Sequence, residues 1–279
     1  DVDGEPALTY SADPETLIVE PETHPEAEPK AETQPGILTW AEKEVAFTPD
    51  PFQAELLTSD AKNILVLGGR QTGKSTAAAV RVVYEAVFHH SSTILLAGPT
   101  GRQSGQIMEK ARKIANLLGL KTGAPPAGCE GFTLANKSQI LALPDNPETI
   151  RGFSAPRLIV VDEAAFASDD LFKALQPMLS VSNGTMILLS TPNGQSGFFY
   201  ERWHDEPQTW HRIKCTAADC DRLNHQAVEA MRVTMTPEEF NQEFNCEFVA
   251  APGQFITREM FRKCIRKDVK PLFADDIWN

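Results

Sequence analysis

Long apolar runs are missing from this 279-residue chain. No stretch approaches the roughly 18 consecutive apolar residues that a membrane-crossing helix needs, so nothing is expected to span a membrane. The first residues, from Asp1 onward, are acidic and polar; a secretory signal is absent as written, and secretion is not expected. Cysteine is scarce. Cys129, Cys215, Cys220, Cys246 and Cys264 are odd in number and none stands in a CxxC pair, which argues against disulfides and for reduced thiols in a cytosolic compartment. His204, His211, Cys215, Cys220 and His225 lie near one another but lack the tight pairs of a tetrahedral zinc site. A hairpin carrying ordinary core cysteines is expected there. No repeat recurs at solenoid spacing.

Positive charge is also in deficit, with a formal net charge of -12. That balance disfavours a nucleic-acid partner until it is partitioned. Residues 1–37 hold ten acidic side chains against one lysine, net -9, and the other 242 residues carry only -3. The same stretch has six prolines and few large apolar residues, so it cannot offset its own ordering entropy and is expected to be a disordered, solvating leader. A DNA mimic or a docking arm for a basic partner is the alternative. The ordered domain is expected over 38–250, followed by a linker segment over 251–279.

What is present begins with Ile64-Leu65-Val66-Leu67, an apolar β-branched run, followed by Gly68-Gly69-Arg70-Gln71-Thr72-Gly73-Lys74-Ser75-Thr76. Strand, glycine-rich turn and helix in that order make a phosphate cradle, the P-loop. Gly68 and Gly73 let the loop turn back so that backbone NH groups face phosphate oxygens. Lys74 sets a cation against the β and γ phosphates, Ser75 offers a hydroxyl to Mg²⁺, and a helix over 74–88 presents its positive dipole end.

Further strands are expected at 63–67, 93–97, 157–162 and 185–190, rich in Val, Ile and Leu with little alternation, as in parallel sheets covered on both faces. Helical patterns at 103–118 and 168–179 separate most of them. Residues 131–135 and 139–143 read as a hairpin around Asn136-Lys137-Ser138, and 224–235 and 237–247 as helices. The fold class is α/β: a RecA-like P-loop NTPase with a mostly parallel central sheet flanked by helices and a small helical C-terminal segment.

Leu158-Ile159-Val160-Val161 ends in Asp162-Glu163. A buried strand tipped by two carboxylates places Asp162 beside the P-loop, where it can hold the Mg²⁺ shell, and leaves Glu163 to polarise the attacking water. Helix capping is the alternative duty for the pair. The next strand ends in Ser190-Thr191-Pro192, small hydroxyls able to reach the γ phosphate or Glu163 and report nucleotide state.

The series GGRQTGKS, LLAGPTGRQS, TLANKSQILALP, ETIRGFSAPRLIVVDEAAF, LLSTPNG and EEFNQEFNCEF resembles the ATPase domain of the large terminase subunit, the DNA-packaging motor of tailed phages. The resemblance implies ATP and Mg²⁺ as cofactors and double-stranded DNA, the portal protein and a small terminase subunit as partners. It also implies a homo-oligomeric ring on the portal and a place in the host cytoplasm. Lys74 and Ser75 take phosphate and magnesium, Asp162 magnesium, Glu163 the role of catalytic base, and Ser190 and Thr191 coupling. Gln53 matches the glutamine that reads adenine, its amide able to donate and accept. Arg70 lies inside the P-loop, where a planar five-donor cation can sense nucleotide in the same subunit. Arg151 matches an arginine finger acting on a neighbouring subunit, an intrasubunit salt bridge to Glu148 or Asp162 being the alternative. Full-length members continue into an RNase H-like nuclease. Asp275-Asp276 alone cannot form such a site, so no nuclease activity is expected of this chain, which is read as a split gene or an isolated motor.

DNA contact has two candidate patches: Arg102, Lys110, Arg112 and Lys113 on or near one helix, and Arg258, Arg262, Lys263, Arg266, Lys267 and Lys270 near the end. A solvated helix face explains the first equally well. Two other readings stand beside the packaging motor. One is a superfamily 2 helicase-like ATPase, for which no second lobe has room; the other is a prophage-remnant, nucleotide-gated interaction module.

Overall fold

The computed structural model describes residues 34–143, 150, 152–153, 155–205, 208–250, 260 and 263–265. All elements below belong to the unit Pro35–Asn279. Nearly all of the acidic leader, Arg151 and Glu148, and most of the basic C-terminal patch lie outside the described residues.

Eight strands form one sheet in the order β3-β4-β5-β2-β6-β7-β1-β8. They are β1 (Asn63–Gly68), β2 (Thr93–Ala97), β3 (Thr122–Gly123), β4 (Glu130–Leu134), β5 (Gln139–Ala142), β6 (Leu158–Asp162), β7 (Thr185–Ser190) and β8 (His211–Cys215). Along the order from β5 to β8 every neighbouring pair is parallel, and only the β3–β4 and β4–β5 pairs at one edge are antiparallel. The α/β class and its mostly parallel sheet are as the apolar runs require.

One expectation is corrected. The stretch from His204 to His225 is no hairpin: β8 lies parallel to β1, with Ile64 opposite His211 and Gly68 opposite Cys215. In addition β6 is not the immediate neighbour of β1, because β7 is inserted between them and pairs with both. The register still aligns their ends, since Asp162 and Val66 both face Leu189 of β7.

Burial on both faces explains why the strands read as unbroken apolar runs. Ile64, Val66, Ile94 and Leu96 join one core with residues of α2 (Pro51–Thr58), α3 (Lys74–Phe88) and α4 (Gly101–Leu117). Leu65, Leu67, Leu95 and Ala97 point the other way, into a second core with Phe172 of α5 (Asp169–Leu175), Phe198 of α6 (Gly197–His204) and Trp210. Phe172 and Phe198 stack there at 4.5 Å. Helix α1 (Ile37–Glu44) packs Trp40 edge-on against Tyr84 and Phe88 of α3.

The helix expected over 168–179 is interrupted. Pro177 lacks an NH for the helical ladder, and the chain passes through a 3₁₀ turn at Gln176–Met178 before a last short turn at Leu179–Ser182. After β8 come the small helices α7 (His225–Met231), capped by Asn224, and α8 (Pro237–Glu243), opened by a Thr236–Glu239 capping box. Among the described residues no helix is long and apolar enough to cross a membrane.

Candidate nucleotide-binding site

The C-terminal ends of the parallel strands converge on a cavity of about 650 Å³. The loop between β1 and α3 forms its floor, and each glycine there has a separate reason. Gly73 takes the left-handed conformation (φ 88°), and a Cβ on it would stand 2.6 Å from Nε2 of Gln53. At Gly68 a Cβ would meet the Lys74 stem at 2.7 Å, and at Gly69 the carbonyl oxygen of Phe244 at 3.1 Å. Backbone freedom is thus needed at Gly73 and space at the other two.

Lys74 is buried, and its ammonium donates to the carbonyls of Gly68 (2.7 Å) and Gly69 (2.9 Å). Burial pushes its pKa down, against the pull of Glu163 and Asp162. Asp162 is 2% exposed. Its carboxyl is raised to about 6, first by burial and then by the adjacent Glu163, while hydrogen bonding from Ser75 and the charge of Lys74 work in the opposite sense. Glu163 adopts the left-handed conformation (φ 50°, ψ 44°), uncommon for a residue with a Cβ. The turn brings its carboxylate into the cavity wall, where Ser190 Oγ donates to Oε2 at 3.3 Å. Thr191 lines the same wall.

Of the residues expected in the site, Arg70, Gln71, Gly73, Lys74, Ser75, Thr76, Glu163 and Thr191 line the cavity. Gly68, Gly69, Thr72, Asp162, Ser190 and Gln53 are not part of that lining. Thr72, fully buried, holds the loop with Oγ1 on the carbonyl of Gly69 at 2.9 Å. Gln53 is also fully buried and spends both ends of its amide inside the protein. Oε1 accepts from the NH of Asp50 (2.9 Å), closing the capping box of α2, and Nε2 donates to the carbonyl of Thr72 (3.3 Å). Contact with a base requires this fully buried amide to become accessible. Arg151 lies outside the described residues.

Sequence reasoning missed several groups. Arg222 lines the cavity and donates through Nε to Asp50 (2.8 Å) and through an Nη to the carbonyl of Thr72 (2.7 Å), joining α2 to the P-loop. Nothing in the surrounding Asp-Arg-Leu text marks it. Glu243 also lines the cavity: its carbonyl accepts the NH of Arg70 at 2.7 Å and its carboxylate stands 3.5 Å from the Arg70 guanidinium. Its only signal was its place in EEFNQEFNCEF. Gln103, Gln106 and Lys110 of α4, with Phe166, complete the walls.

Of the four cations expected to share a DNA-facing patch, the side chain of Arg102 lies outside the described residues and the other three are divided. Arg112 donates to the carbonyl of Gly131 and lies 5.0 Å over the Phe132 ring. Lys113 pairs with Glu109 at 2.6 Å, and Lys110 faces the cavity.

The oxygen donors fit a hard divalent cation. Ser75 offers a hydroxyl and Asp162 a carboxylate whose charge burial disfavours and a cation would favour. Among the described residues no group of three or more His, Cys, Asp or Glu side chains is placed to hold a metal ion. A divalent cation held by Ser75 and Asp162 would draw its remaining ligands from phosphate oxygens and water.

The comparisons with known proteins follow the same lines. A family model described as terminase large subunit, T4likevirus-type, N-terminal, matches residues 65–263. The large terminase subunit of Thermus virus P23-45 is 27% identical over 175 residues, covering 56% of this chain and 36% of that protein. The large terminase subunit of Escherichia phage T5 is 28% identical over 194 residues, 67% of this chain and 44% of that one. The chain thus spans less than half the length of these curated relatives. Among solved structures, the ATPase domain of the Thermus phage P74-26 large terminase superposes with a TM-score of 0.62 at 24% identity, over 75% of this chain and 97% of that domain. The large terminase of another thermophilic bacteriophage, in complex with ADP, gives 0.61 at 16% identity, over 72% of this chain and 53% of that one. At these identities the structural likeness is one of fold.

Proposed function

This chain belongs to the terminase large-subunit family, matching its T4likevirus-type N-terminal part, and from that premise we propose that it binds ATP and hydrolyses it in the cavity between the P-loop and the tip of β6. The observation that carries this reading is that Lys74, Ser75 and Glu163 line one cavity, with Asp162 hydrogen-bonded to Ser75 beside it, although their strands are not adjacent.

Lys74 is held in the loop by two carbonyls, interactions that incoming phosphate oxygens replace. Ser75 and Asp162 are the residues that would hold Mg²⁺, which neutralises charge developing on the transferring phosphoryl group. Glu163 orients the attacking water and takes its proton, a contribution of roughly 10²–10⁴ in rate. Ser190, bonded to Glu163, fixes that carboxylate and couples it to β7. Arg70 senses nucleotide in the same subunit through its link to Glu243, and Arg151 supplies positive charge to a neighbouring subunit's site. The work done with that energy is translocation of double-stranded DNA into a procapsid, in a ring seated on the portal and loaded by a small terminase subunit, in the host cytoplasm. The thermophilic-phage large terminase was solved with ADP and with ATP-gamma-S, which supports a nucleotide as the ligand here.

The test is turnover of ATP by the purified chain. Lys74→Ala is expected to lose nucleotide binding, and Glu163→Gln to bind ATP while hydrolysing it at least about a hundredfold more slowly. Equal rates for wild type and Glu163→Gln would remove Glu163 from the chemistry. Mixing Arg151→Ala with Glu163→Ala subunits restores activity if the arginine acts across an interface.

A further inference from the structure

Helix α4 presents Gln103, Gln106 and Lys110 to the nucleotide cavity. Their spacing of three and four residues puts them on one helical face. The helix is carried close to the end of β6 because a glycine, Gly98, follows β2. A Cβ on Gly98 would stand 3.1 Å from Cβ of Gln103 and 3.4 Å from the carbonyl oxygen of Asp162.

The neighbouring cations on this helix are already engaged, Arg112 with the Gly131 carbonyl and Phe132, Lys113 with Glu109. Lys110 has no hydrogen-bond or ion-pair partner among the described residues. It is half-buried, its pKa lowered first by burial, and Asp162 is the first of the charges that favour its ammonium form. A long side chain kept partly out of water without a counter-ion is a costly arrangement unless an anion completes it.

The position of that anion follows from the rest of the site. Lys74 and Ser75 mark the β and γ phosphates, and Glu163 with Thr191 marks the water side of the γ phosphate. Lys110 shares the cavity with these residues while standing on a different element. We propose that Lys110 is a second, in-subunit cation that contacts the terminal phosphate of a bound nucleoside triphosphate and has no partner in the diphosphate. Resting on the ATPase reading above, this makes α4 an element that is held in the triphosphate state and released after hydrolysis. It also removes Lys110 from the set of residues free to track DNA.

The experiment compares affinities of ATPγS and ADP, each with Mg²⁺, for the full chain by calorimetry. A charge-assisted contact confined to the triphosphate is expected to make Lys110→Ala weaken ATPγS binding by about tenfold or more, with ADP changed less than about twofold. Lys110→Arg recovers part of the loss, and Lys110→Gln behaves as the alanine variant. Lys74→Ala weakens both nucleotides and serves as the control. If wild type binds both nucleotides and Lys110→Ala changes neither, or changes both equally, the Lys110 proposal falls and the ATPase reading stands. If wild type binds neither, both fall. A Lys110→Ala chain that loses affinity for double-stranded DNA with its ATPγS-to-ADP ratio intact assigns the residue to DNA instead.

Discussion

The two ends of the parallel sheet carry cavities of similar size, about 650 Å³ at the C-terminal ends of the strands and about 510 Å³ at the N-terminal ends, yet their charges are arranged in opposite ways. At the N-terminal end Arg81, Glu85, Arg157 and Lys62 are answered from within. One Nη of Arg81 donates to the carbonyls of Leu56 (3.0 Å), Leu57 (2.6 Å) and Ser59 (2.9 Å), and its Nε to Glu85 (3.2 Å). The other Glu85 oxygen takes Arg157 at 2.7 Å, and Lys62 donates to the Asn183 carbonyl at 2.7 Å. At the C-terminal end Asp162 is pushed up to about 6 and Lys110 is unpaired among the described residues. The Arg70 side chain is 67% exposed. A cleft alone does not distinguish a site; a cleft whose charges await a partner does.

The largest expected effect on stability comes from breaking the matched end. Arg81→Ala leaves three carbonyls and one oxygen of Glu85 without their donor, and unfolding in urea should show a loss of about 3–5 kcal/mol, with nucleotide affinity of the folded fraction unchanged. A substitution at the unmatched end should act in the opposite direction. Since folding raises Asp162 from 3.8 to about 6, its contribution is fully present below pH of about 4 and is lost as pH rises through about 6. At pH near 7.5 the ionised carboxylate costs stability in the nucleotide-free chain, and Asp162→Asn should recover on the order of 2 kcal/mol while abolishing Mg²⁺-dependent turnover. The gain should vanish when both chains are compared near pH 4. The smallest effect is expected at Arg157, 43% exposed: Arg157→Ala should cost less than about 1 kcal/mol, because solvent screens the pair and Glu85 keeps Arg81. If Arg157→Ala proves as damaging as Arg81→Ala, the matched end depends on its rim and not on its buried centre.

Much of the fold was legible. The helix at Lys74–Phe88 and the strands at Thr93–Ala97 and Thr185–Ser190 have the bounds read from the text, because unbroken apolar runs and a left-handed glycine are local signals. Edge strand β8 was not legible as a parallel strand: His211-Arg212-Ile213-Lys214-Cys215 has no unbroken apolar run, and only pairing with β1 shows its direction. The break at Pro177 was available in principle, a proline inside a helical pattern. Site residues split along the same line. The P-loop and the Asp162-Glu163 pair announce themselves by contiguous motif. Arg222 and Lys110 do not, since each reaches the cavity from an element whose own text has no motif for it.

By itself the sequence determined the phosphate-binding loop, the carboxylate pair and the parallel character of the sheet, because each depends on residues consecutive in the chain and on their φ/ψ freedom, charge or burial. Only the tertiary structure decided that β7 separates the two motif-bearing strands, that Gln53 is engaged inside the protein, and that Lys110 of α4 faces the cavity while Arg112 and Lys113 are engaged elsewhere. Those outcomes depend on which elements pack together, and packing brings together groups that lie far apart along the chain.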